Sequence, residues 1–212
     1  MLKEMTVEHF VREVASSSPS PGGGSAAALS AAQAAALLSM YCNLSQNRQK
    51  LGDVVDSLQQ AGEEARFLKK KLLEAIDEEM VVFNLTMKAS RLPKNNLSEK
   101  ESRNKALRDA ALQAEEVPLQ TARGALRILS MIAEVAVKGN PAAITDLGVA
   151  NLQAFAGLKG ACYNARANLG MIGDTDKLKE LDRETEELVA QGRSFFEQNL
   201  SVIEEEISRY LN

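Results

Sequence analysis

The sequence contains a single histidine, His9, which limits the chemistry open to the chain. Ser-His-Asp catalysis, Cys-His catalysis and histidine-based metal sites all require an imidazole in the site. His9 falls in a short amphipathic segment, where we interpret it as a surface residue. Any chemistry must therefore rest on carboxylates, lysines, amides or bound water.

A glycine-rich segment, Pro21-Gly22-Gly23-Gly24-Ser25, stands directly before an alanine-rich helical pattern. It is not a Walker loop, because no Gly-Lys-Ser/Thr follows, and it is not a GxGxxG turn after a strand. Glycines at a helix start leave backbone N–H groups open to an anion or to an electronegative ligand edge. A plain turn with Ser25 as the N-cap explains the same residues equally well.

A second loop, GNPAAITD, begins at Gly139 and ends with Asp146. Taken alone, it favours an N-cap role for Asp146 or for the residue before it, and Asn140 can simply close the preceding helix. Lys94 and Arg103, between the two loops, are by themselves ordinary surface charges. These residues become candidates for a site only in combination.

The composition indicates one helical domain covering residues 1–212. Hydrophobic residues make up 45% of the chain and aromatic residues 4%, with no Trp, so small and aliphatic side chains must fill the core. The net charge of −4 and the lack of an extended basic run argue against a nucleic-acid partner.

The distribution of cysteines and apolar residues predicts a cytoplasmic protein. Cys42 and Cys162 are too far apart for a ligand-spaced pair, so neither a zinc site nor a disulfide framework is indicated. No signal sequence is visible at the start of the chain. The alanine-rich segment from Ala26 to Met40 is too short and too weakly apolar for a membrane span, so we interpret it as a buried helix.

Apolar spacing predicts an all-α fold, a multihelical up-and-down bundle with long amphipathic helices around a central alanine-rich helix. Thr6 is the expected N-cap of a first helix that carries its valines and Phe10 on one face. Ser98 and Glu101 form a capping-box pattern, and Pro118 is expected to kink or restart the helix that follows. The predicted helices cover approximately residues 6–15, 25–45, 53–89, 99–116, 118–138, 146 onward and 175–211.

Three stretches, in order and at this spacing, resemble one known family. They are SPSPGGGSAAALSAAQAAALLSMYCNLS, RLPKNNLSEKESRNKALRDAALQAEEVPL and KGNPAAITDLGVANLQAFAGLKGACYNARANLGMIGD. The chain is similar to the cyclodeaminase domain of formiminotransferase-cyclodeaminase and to its single-domain relatives, including methenyltetrahydrofolate cyclohydrolases. The resemblance covers nearly the whole chain and is weakest over the last forty residues.

The resemblance implies a helical enzyme, usually a homodimer, that acts on a reduced folate with or without a polyglutamate tail and uses neither a metal nor a redox cofactor. The composition predicts a cytoplasmic protein without a membrane or nucleic-acid partner. The expected reaction converts 5-formimino-tetrahydrofolate to 5,10-methenyl-tetrahydrofolate and ammonia. The alternatives are hydrolysis of the methenyl bridge to 10-formyl-tetrahydrofolate, or a non-catalytic helical bundle that binds a partner. Both reactions use a carboxylate to stabilise a cation and to move a proton.

The resemblance also assigns roles to individual residues. Asp146 would be the catalytic acid, because it matches the Ser/Thr-Asp of the family at this loop. The other implied contacts are all with substrate: the backbone of Gly22, Gly23, Gly24 and Ser25, the orienting side chain of Asn140, and the cations Lys94 and Arg103 for the glutamate tail. Asn164 and Asn168 are weaker candidates.

The sequence departs from the family pattern at one carboxylate. Relatives often carry an aspartate four residues before a phenylalanine, whereas this chain has Glu79 before Phe83, with Asp77 nearby. Whether Glu79 or Asp77 takes the place of that aspartate is left open by the sequence.

Overall fold

The computed structural model describes residues 1–46, 52–169 and 175–211. Over these residues the chain forms six α-helices and no β-strand, as the composition predicts. The last five residues of the third family stretch, 170–174, lie outside the described residues. The helices are α1 (Val7–Val14), α2 (Gly23–Gln46), α3 (Gly52–Ser90), α4 (Leu97–Val135), α5 (Ile144–Leu169) and α6 (Thr175–Leu211).

Helices α2 to α6 run alternately up and down and share one apolar core. The alanine-rich α2 lies at its centre, in contact with α3, α4 and α5. By length and composition α2 could cross a membrane, but 61% of its most apolar window is buried inside the bundle, as expected for a core helix. The predicted up-and-down bundle with a central alanine-rich helix is therefore confirmed.

Small residues set the spacing between α2 and α5. A Cβ atom added at Gly157 would lie 2.9 Å from the backbone nitrogen of Ala31, and one at Gly160 would lie 3.1 Å from the Cβ of Ala27. Neither helix could approach the other this closely with larger side chains. The contacts pair the start of α2 with the end of α5, so the two helices are antiparallel.

Helix α1 differs from its predicted orientation. Thr6 is its N-cap, since the hydroxyl accepts a hydrogen bond from the His9 backbone N–H at 3.2 Å, as predicted. Of the predicted apolar face, however, Phe10 is buried while Val7, Val11 and Val14 are exposed. An eight-residue helix at the edge of a bundle has room to bury one large side chain and leaves the others in solvent.

Helix α4 begins with a different cap from the predicted Ser98–Glu101 box. Asn96 is the N-cap, and its side-chain oxygen accepts a hydrogen bond from the Glu99 N–H at 2.9 Å. The Glu99 carboxylate accepts a reciprocal bond from the Asn95 N–H at 2.8 Å. A related arrangement therefore forms two residues earlier, with Glu99 bonded to the residue before the N-cap, because Asn caps a helix as well as Ser does.

Pro118 lies inside α4 and does not restart it, contrary to one of the two predicted outcomes. A proline has no N–H to donate to the carbonyl four residues earlier, here that of Ala114. The side-chain amide of Asn168, on α5, donates a hydrogen bond to this carbonyl at 3.1 Å. The buried helix remains continuous because a neighbouring helix supplies the missing donor.

The close α2–α5 contact predicts that a methyl group added at Gly157 destabilises the protein, whereas one added at Gly124 does not. Gly157→Ala should lower the free energy of unfolding by about 1–3 kcal/mol, because its Cβ meets backbone that cannot move aside. Gly124→Ala is the matched control, since its Cβ lies 3.5 Å from Leu72 in ordinary contact and should be neutral or stabilising by up to about 1 kcal/mol. Urea unfolding at fixed protein concentration measures both, and equal effects would contradict the prediction.

Candidate functional site

A cavity of about 160 Å³ opens where α2 begins. The glycine-rich loop forms one wall, α3 contributes Glu79 and Phe83, and α5 contributes Asn164. Glu79 and Phe83 are one helical turn apart and so share a face of α3. The structure thus brings the predicted residues Gly22, Gly23, Gly24 and Ser25 together with a carboxylate and an amide.

Gly24 is the point of closest approach between the loop and α3. It is buried, and a Cβ atom at this position would overlap the Glu79 carboxylate. Its φ angle is not positive, so space and not backbone conformation requires the glycine here. The Glu79 carboxylate therefore lies directly against the backbone at the first turn of α2.

Burial perturbs the Glu79 carboxylic acid. Its side chain is partly buried, and its Oε1 atom is buried without a hydrogen-bond partner among the described residues. Removal from water penalises the charged form and raises the pKa of Glu79 to about 7. At neutral pH this carboxyl group is present in both protonation states, so it can accept or donate a proton.

One hydrogen bond anchors the loop to α3, and the Asn164 side chain lies against its other side. The buried Ser25 hydroxyl donates a hydrogen bond to the Ile76 carbonyl of α3 at 3.1 Å, so Ser25 pins α2 to α3 and is not the N-cap. On the other side, the Asn164 amide donates to the Gly160 carbonyl at 2.8 Å. A Cβ at Gly23 would lie 3.5–3.6 Å from the Asn164 amide group, which places Asn164 against the loop.

Asp77 has a structural role that separates it from the cavity. Its carboxylate accepts a hydrogen bond from the Leu2 backbone N–H at 2.6 Å and lies 3.8 Å from the Lys3 ammonium. These contacts fix the N-terminal 3₁₀ turn, Leu2–Glu4, against α3. Glu79, and not Asp77, is therefore the carboxylate that lines the cavity.

Asn140 lies at the opposite end of the bundle and stabilises a turn. Its backbone N–H donates to the buried Ser45 hydroxyl at 2.7 Å, and its side-chain oxygen accepts a bond from the Ala142 N–H at 3.1 Å. This caps the 3₁₀ turn Pro141–Ala143, which leads directly into α5. A Cβ at Gly139 would overlap Tyr41 and Ser45, so the bundle is packed as closely here as it is at Gly24.

Asp146 lies in the first turn of α5, so it is not an N-cap. Its side chain is partly buried, and no hydrogen bond or ion pair within the described part of the chain engages it. It precedes Asn164 on the same helix by about five turns, or about 27 Å. Within one chain, Asp146 and Asn140 do not join the glycine-loop cavity.

The two predicted cations also lie away from the cavity. Arg103 donates a hydrogen bond to the Ser90 carbonyl at 3.2 Å, closing the end of α3, and Lys94 is exposed in the turn between α3 and α4. Ser90 is about three turns beyond Glu79, or about 17 Å along α3. Either cation can meet only the far end of an extended ligand.

The chemistry available in the cavity is proton transfer and hydrogen bonding. Glu79 supplies an acid or base, Asn164 an amide, and the first turn of α2 its free backbone N–H groups. Over the described residues, no group of three or more His, Cys, Asp or Glu side chains is arranged to hold a metal ion. Three residues that line the cavity were not predicted from the sequence: Pro19, Ser20 and Phe83. Of these, only Phe83 was indicated by a sequence feature, its spacing of four residues from Glu79.

Comparisons with known proteins agree with this architecture. The family model for formiminotransferase-cyclodeaminase matches residues 6–187. The methenyltetrahydrofolate cyclohydrolase of Methylorubrum extorquens is 36% identical over 96% of this chain and 98% of its own length. The formimidoyltransferase-cyclodeaminase of Rattus norvegicus is 32% identical over 86% of this chain, which spans only 34% of that protein.

A solved structure shows the same fold. The formiminotetrahydrofolate cyclodeaminase of Thermotoga maritima superposes with a TM-score of 0.86 and covers 98% of this chain and 100% of its own. The sequence identity between the two is 24%. The arrangement of helices is thus retained at a level of identity where most side chains differ.

The raised pKa of Glu79 predicts how stability depends on pH. Between pH 4.5, the ordinary value, and about 7, the unfolded chain ionises Glu79 while the folded chain keeps its proton, so the free energy of unfolding falls as pH rises. We expect Glu79→Gln to stabilise the protein at about pH 8 by on the order of 1–3 kcal/mol, and by much less at about pH 4.

Glu78→Gln is the matched control, because Glu78 is the exposed neighbour of Glu79 on the same helix. Urea unfolding of the wild type and both variants across this pH range makes the comparison. The assignment of the raised pKa to Glu79 would be wrong if the free energy of unfolding changed with pH in the same way in Glu79→Gln and in the wild type.

Proposed function

This chain belongs to the formiminotransferase-cyclodeaminase family, and we propose that its glycine-loop cavity acts on the one-carbon bridge between N5 and N10 of a reduced folate. The named relatives are enzymes of this chemistry. The observation that carries the proposal is the Glu79 carboxyl group, which lies against Gly24 and has a pKa of about 7. A proton-transfer group of this kind is what the bridge reactions need.

Hydrolysis of the methenyl bridge would use Glu79 first as a base. The carboxylate takes a proton from water as the water oxygen bonds to the bridge carbon, which neutralises the methenyl cation. Glu79 then returns the proton to N5 as the N5–carbon bond breaks, leaving the formyl group on N10. The net products are 10-formyl-tetrahydrofolate and one proton, which the hydroxyl of the intermediate releases.

Deamination of the formimino group would use the same carboxylate. N10 attacks the formimino carbon, Glu79 accepts the N10 proton and passes it to the departing nitrogen, and ammonia leaves. The methenyl cation that forms keeps the positive charge of the protonated formimino group. A negative carboxylate near this carbon stabilises the charge during either reaction.

We favour hydrolysis over deamination for this chain, although the sequence resemblance had suggested deamination first. A relative that is 36% identical and matches end to end carries the cyclohydrolase name. Of the proteins named for deamination, the Rattus norvegicus relative is 32% identical over 34% of its own length, and the Thermotoga maritima protein matches end to end at 24% identity. The higher identity of the end-to-end cyclohydrolase match favours hydrolysis, and both reactions are tested together.

Several features of the wider substrate and the assembly belong to the same proposal. Lys94 and Arg103 would meet the carboxylates of a glutamate tail, including a polyglutamate tail, at the far end of the ligand. The charge-poor surface of α2 supports a homodimer, and the burial of most of that helix supports a protein without a membrane partner. Free, buried cysteines support a cytoplasmic location.

The experiment offers purified protein 5,10-methenyl-tetrahydrofolate in one cuvette and 5-formimino-tetrahydrofolate in another, and follows the methenyl absorbance. Accelerated loss of absorbance in the first identifies a cyclohydrolase, and a rise in the second identifies a cyclodeaminase. No change in either, together with no binding of a reduced folate, would replace the proposal with the non-catalytic bundle.

Replacing the Glu79 carboxyl group tests the mechanism. Glu79→Gln keeps the size of the side chain but cannot transfer a proton, so turnover should fall by about 10²–10⁴-fold with little change in folate affinity. The wild-type rate should show an apparent pKa near 7, which the variant lacks. Glu78→Gln should behave as wild type, and an equal loss in both variants would contradict the assignment.

The Gly24 contact gives a second test of the same site. In Gly24→Ala the new methyl group must displace the Glu79 carboxylate, and a displacement of about 1 Å costs on the order of 100-fold in turnover. Gly124→Ala, a helix glycine remote from the cavity, is the control and should retain activity. Full activity in Gly24→Ala would show that Glu79 does not act from its position in this structure.

A further inference from the structure

A second cavity lies between α5 and α6. Its volume of about 420 Å³ falls within the range of roughly 300–1,000 Å³ that small-molecule sites occupy. From α5 it is lined by Cys162 and Arg166, which lie two residues on either side of Asn164 and therefore on the opposite side of that helix. Cys162 and Thr185, each 1% exposed, form its floor. This α5–α6 cavity shares no lining residue with the glycine-loop cavity.

The antiparallel packing of the two helices sets two cations at one end of the α5–α6 cavity. Phe155 of α5 stacks on Phe196 of α6, with the ring centroids 4.6 Å apart. One helical turn from each of these rings stand Lys159 and Arg193, and both line the cavity. Arg166 lies seven residues beyond Lys159 and so at the other end, about 10 Å away along α5.

The positive charge at the first end has no close counter-charge among the described residues. The Lys159 ammonium lies 5.8 Å from the centroid of the Tyr163 ring, and no carboxylate in the described part of the chain pairs with it. Arg193 is 3.8 Å from the Glu197 carboxylate, one turn further along α6, which is beyond hydrogen-bonding distance. This end of the cavity therefore offers two cations whose N–H donors are open to an anion.

The rest of the cavity is apolar or already neutralised. Arg166 lies 2.8 Å from the Asp182 carboxylate and 3.9 Å from that of Glu186, so its charge is matched within the chain. Between the two ends, Val189 and Ala190 present hydrocarbon to the cavity. A complementary molecule thus carries an anionic group at one end and an apolar body of up to about 10 Å beside it.

We propose that the α5–α6 cavity binds a small aromatic anion, with its anionic group between Lys159 and Arg193 and its ring against Tyr163 and Val189. Two cations hold a carboxylate or a phosphate through charge-assisted hydrogen bonds, and an aromatic body gains from contact with the tyrosine ring. The site is separate from the glycine-loop cavity, so the molecule bound there is not the one that Glu79 transforms. The inference does not rest on the proposed function.

The first test counts a bound probe by equilibrium dialysis. The probe is anilinonaphthalene sulfonate, a dye that combines an aromatic body with one anionic group. Ala190→Trp should bind one dye fewer per chain than the wild type, because the indole fills the cavity that Ala190 lines. Gln191→Trp, at an exposed neighbour that does not line the cavity, should bind as the wild type does. Equal binding by Ala190→Trp and the wild type would overturn the inference.

The second test removes the two cations and leaves the cavity open. The double variant Lys159→Gln with Arg193→Gln should bind the dye at least about tenfold more weakly, because two charge-assisted contacts are lost. Lys179→Gln with Arg183→Gln is the matched control, since it removes the same charge from exposed positions of α6 outside the cavity. Equal weakening in both double variants would reveal an effect of net charge alone and would contradict the site.

The third test identifies the anionic group by displacement of the dye. Benzoate and phenyl phosphate should each displace the dye that Ala190→Trp fails to bind, and the tighter of the two shows which anionic group the site prefers. Benzamide has the same ring without a charge and should compete at least about tenfold more weakly. Displacement by benzamide as effective as that by benzoate would show that the two cations take no part.

The fourth test separates this site from the proposed reaction. Glu79→Gln should bind the dye as the wild type does, and Ala190→Trp should turn over a reduced folate at the wild-type rate, because the two cavities share no residue. Loss of turnover in Ala190→Trp, with displacement of the dye by methenyl-tetrahydrofolate, would assign the α5–α6 cavity to the substrate. That result would overturn the separate site and leave the proposed function standing.

Discussion

The position of the Glu79 carboxyl group depends on its close contact with the backbone of Gly24, a residue that has no side chain. At Gly24 the backbone of α2 comes close enough to fill the space that a Cβ atom would need, and the carboxyl group is thereby held out of water. The pKa near 7 follows from this desolvation. The Ser25 bond to the Ile76 carbonyl holds the start of α2 against α3 beside this contact.

The same close approach continues along the bundle. Ala27 and Ala31 on α2 face Gly157 and Gly160 on α5, and such small residues allow the backbones to touch. A helix packed this closely on three sides has little surface for charged side chains, and α2 has none. The close contact at the glycine loop and the absence of charged residues from α2 therefore both follow from a central helix built of small residues.

Two polar contacts between elements show how the bundle accommodates breaks in its helices. Asn168 donates to the carbonyl that Pro118 leaves free, and the Ser45 hydroxyl accepts from the Asn140 N–H where the chain turns into α5. Each supplies a hydrogen bond that a buried backbone group would otherwise lack. These asparagines resemble site residues in the sequence because their polarity is evident, whereas their partners are visible only in the folded chain.

The sequence by itself determined the helical class, the central place of α2, the cap at Thr6 and the family, because these depend on composition, on local spacing and on motifs in order. It also indicated the glycine loop as a candidate binding segment and showed Glu79 at a position where members of the family often carry an aspartate. Only the tertiary structure decided that Glu79 and not Asp77 faces the loop, since α3 presents the two carboxylates to different neighbours. It also placed Asp146 and Asn140 at the far end of α5 from that loop. The order of motifs along the sequence cannot predict this separation, because it depends on the antiparallel packing of α5 against α2.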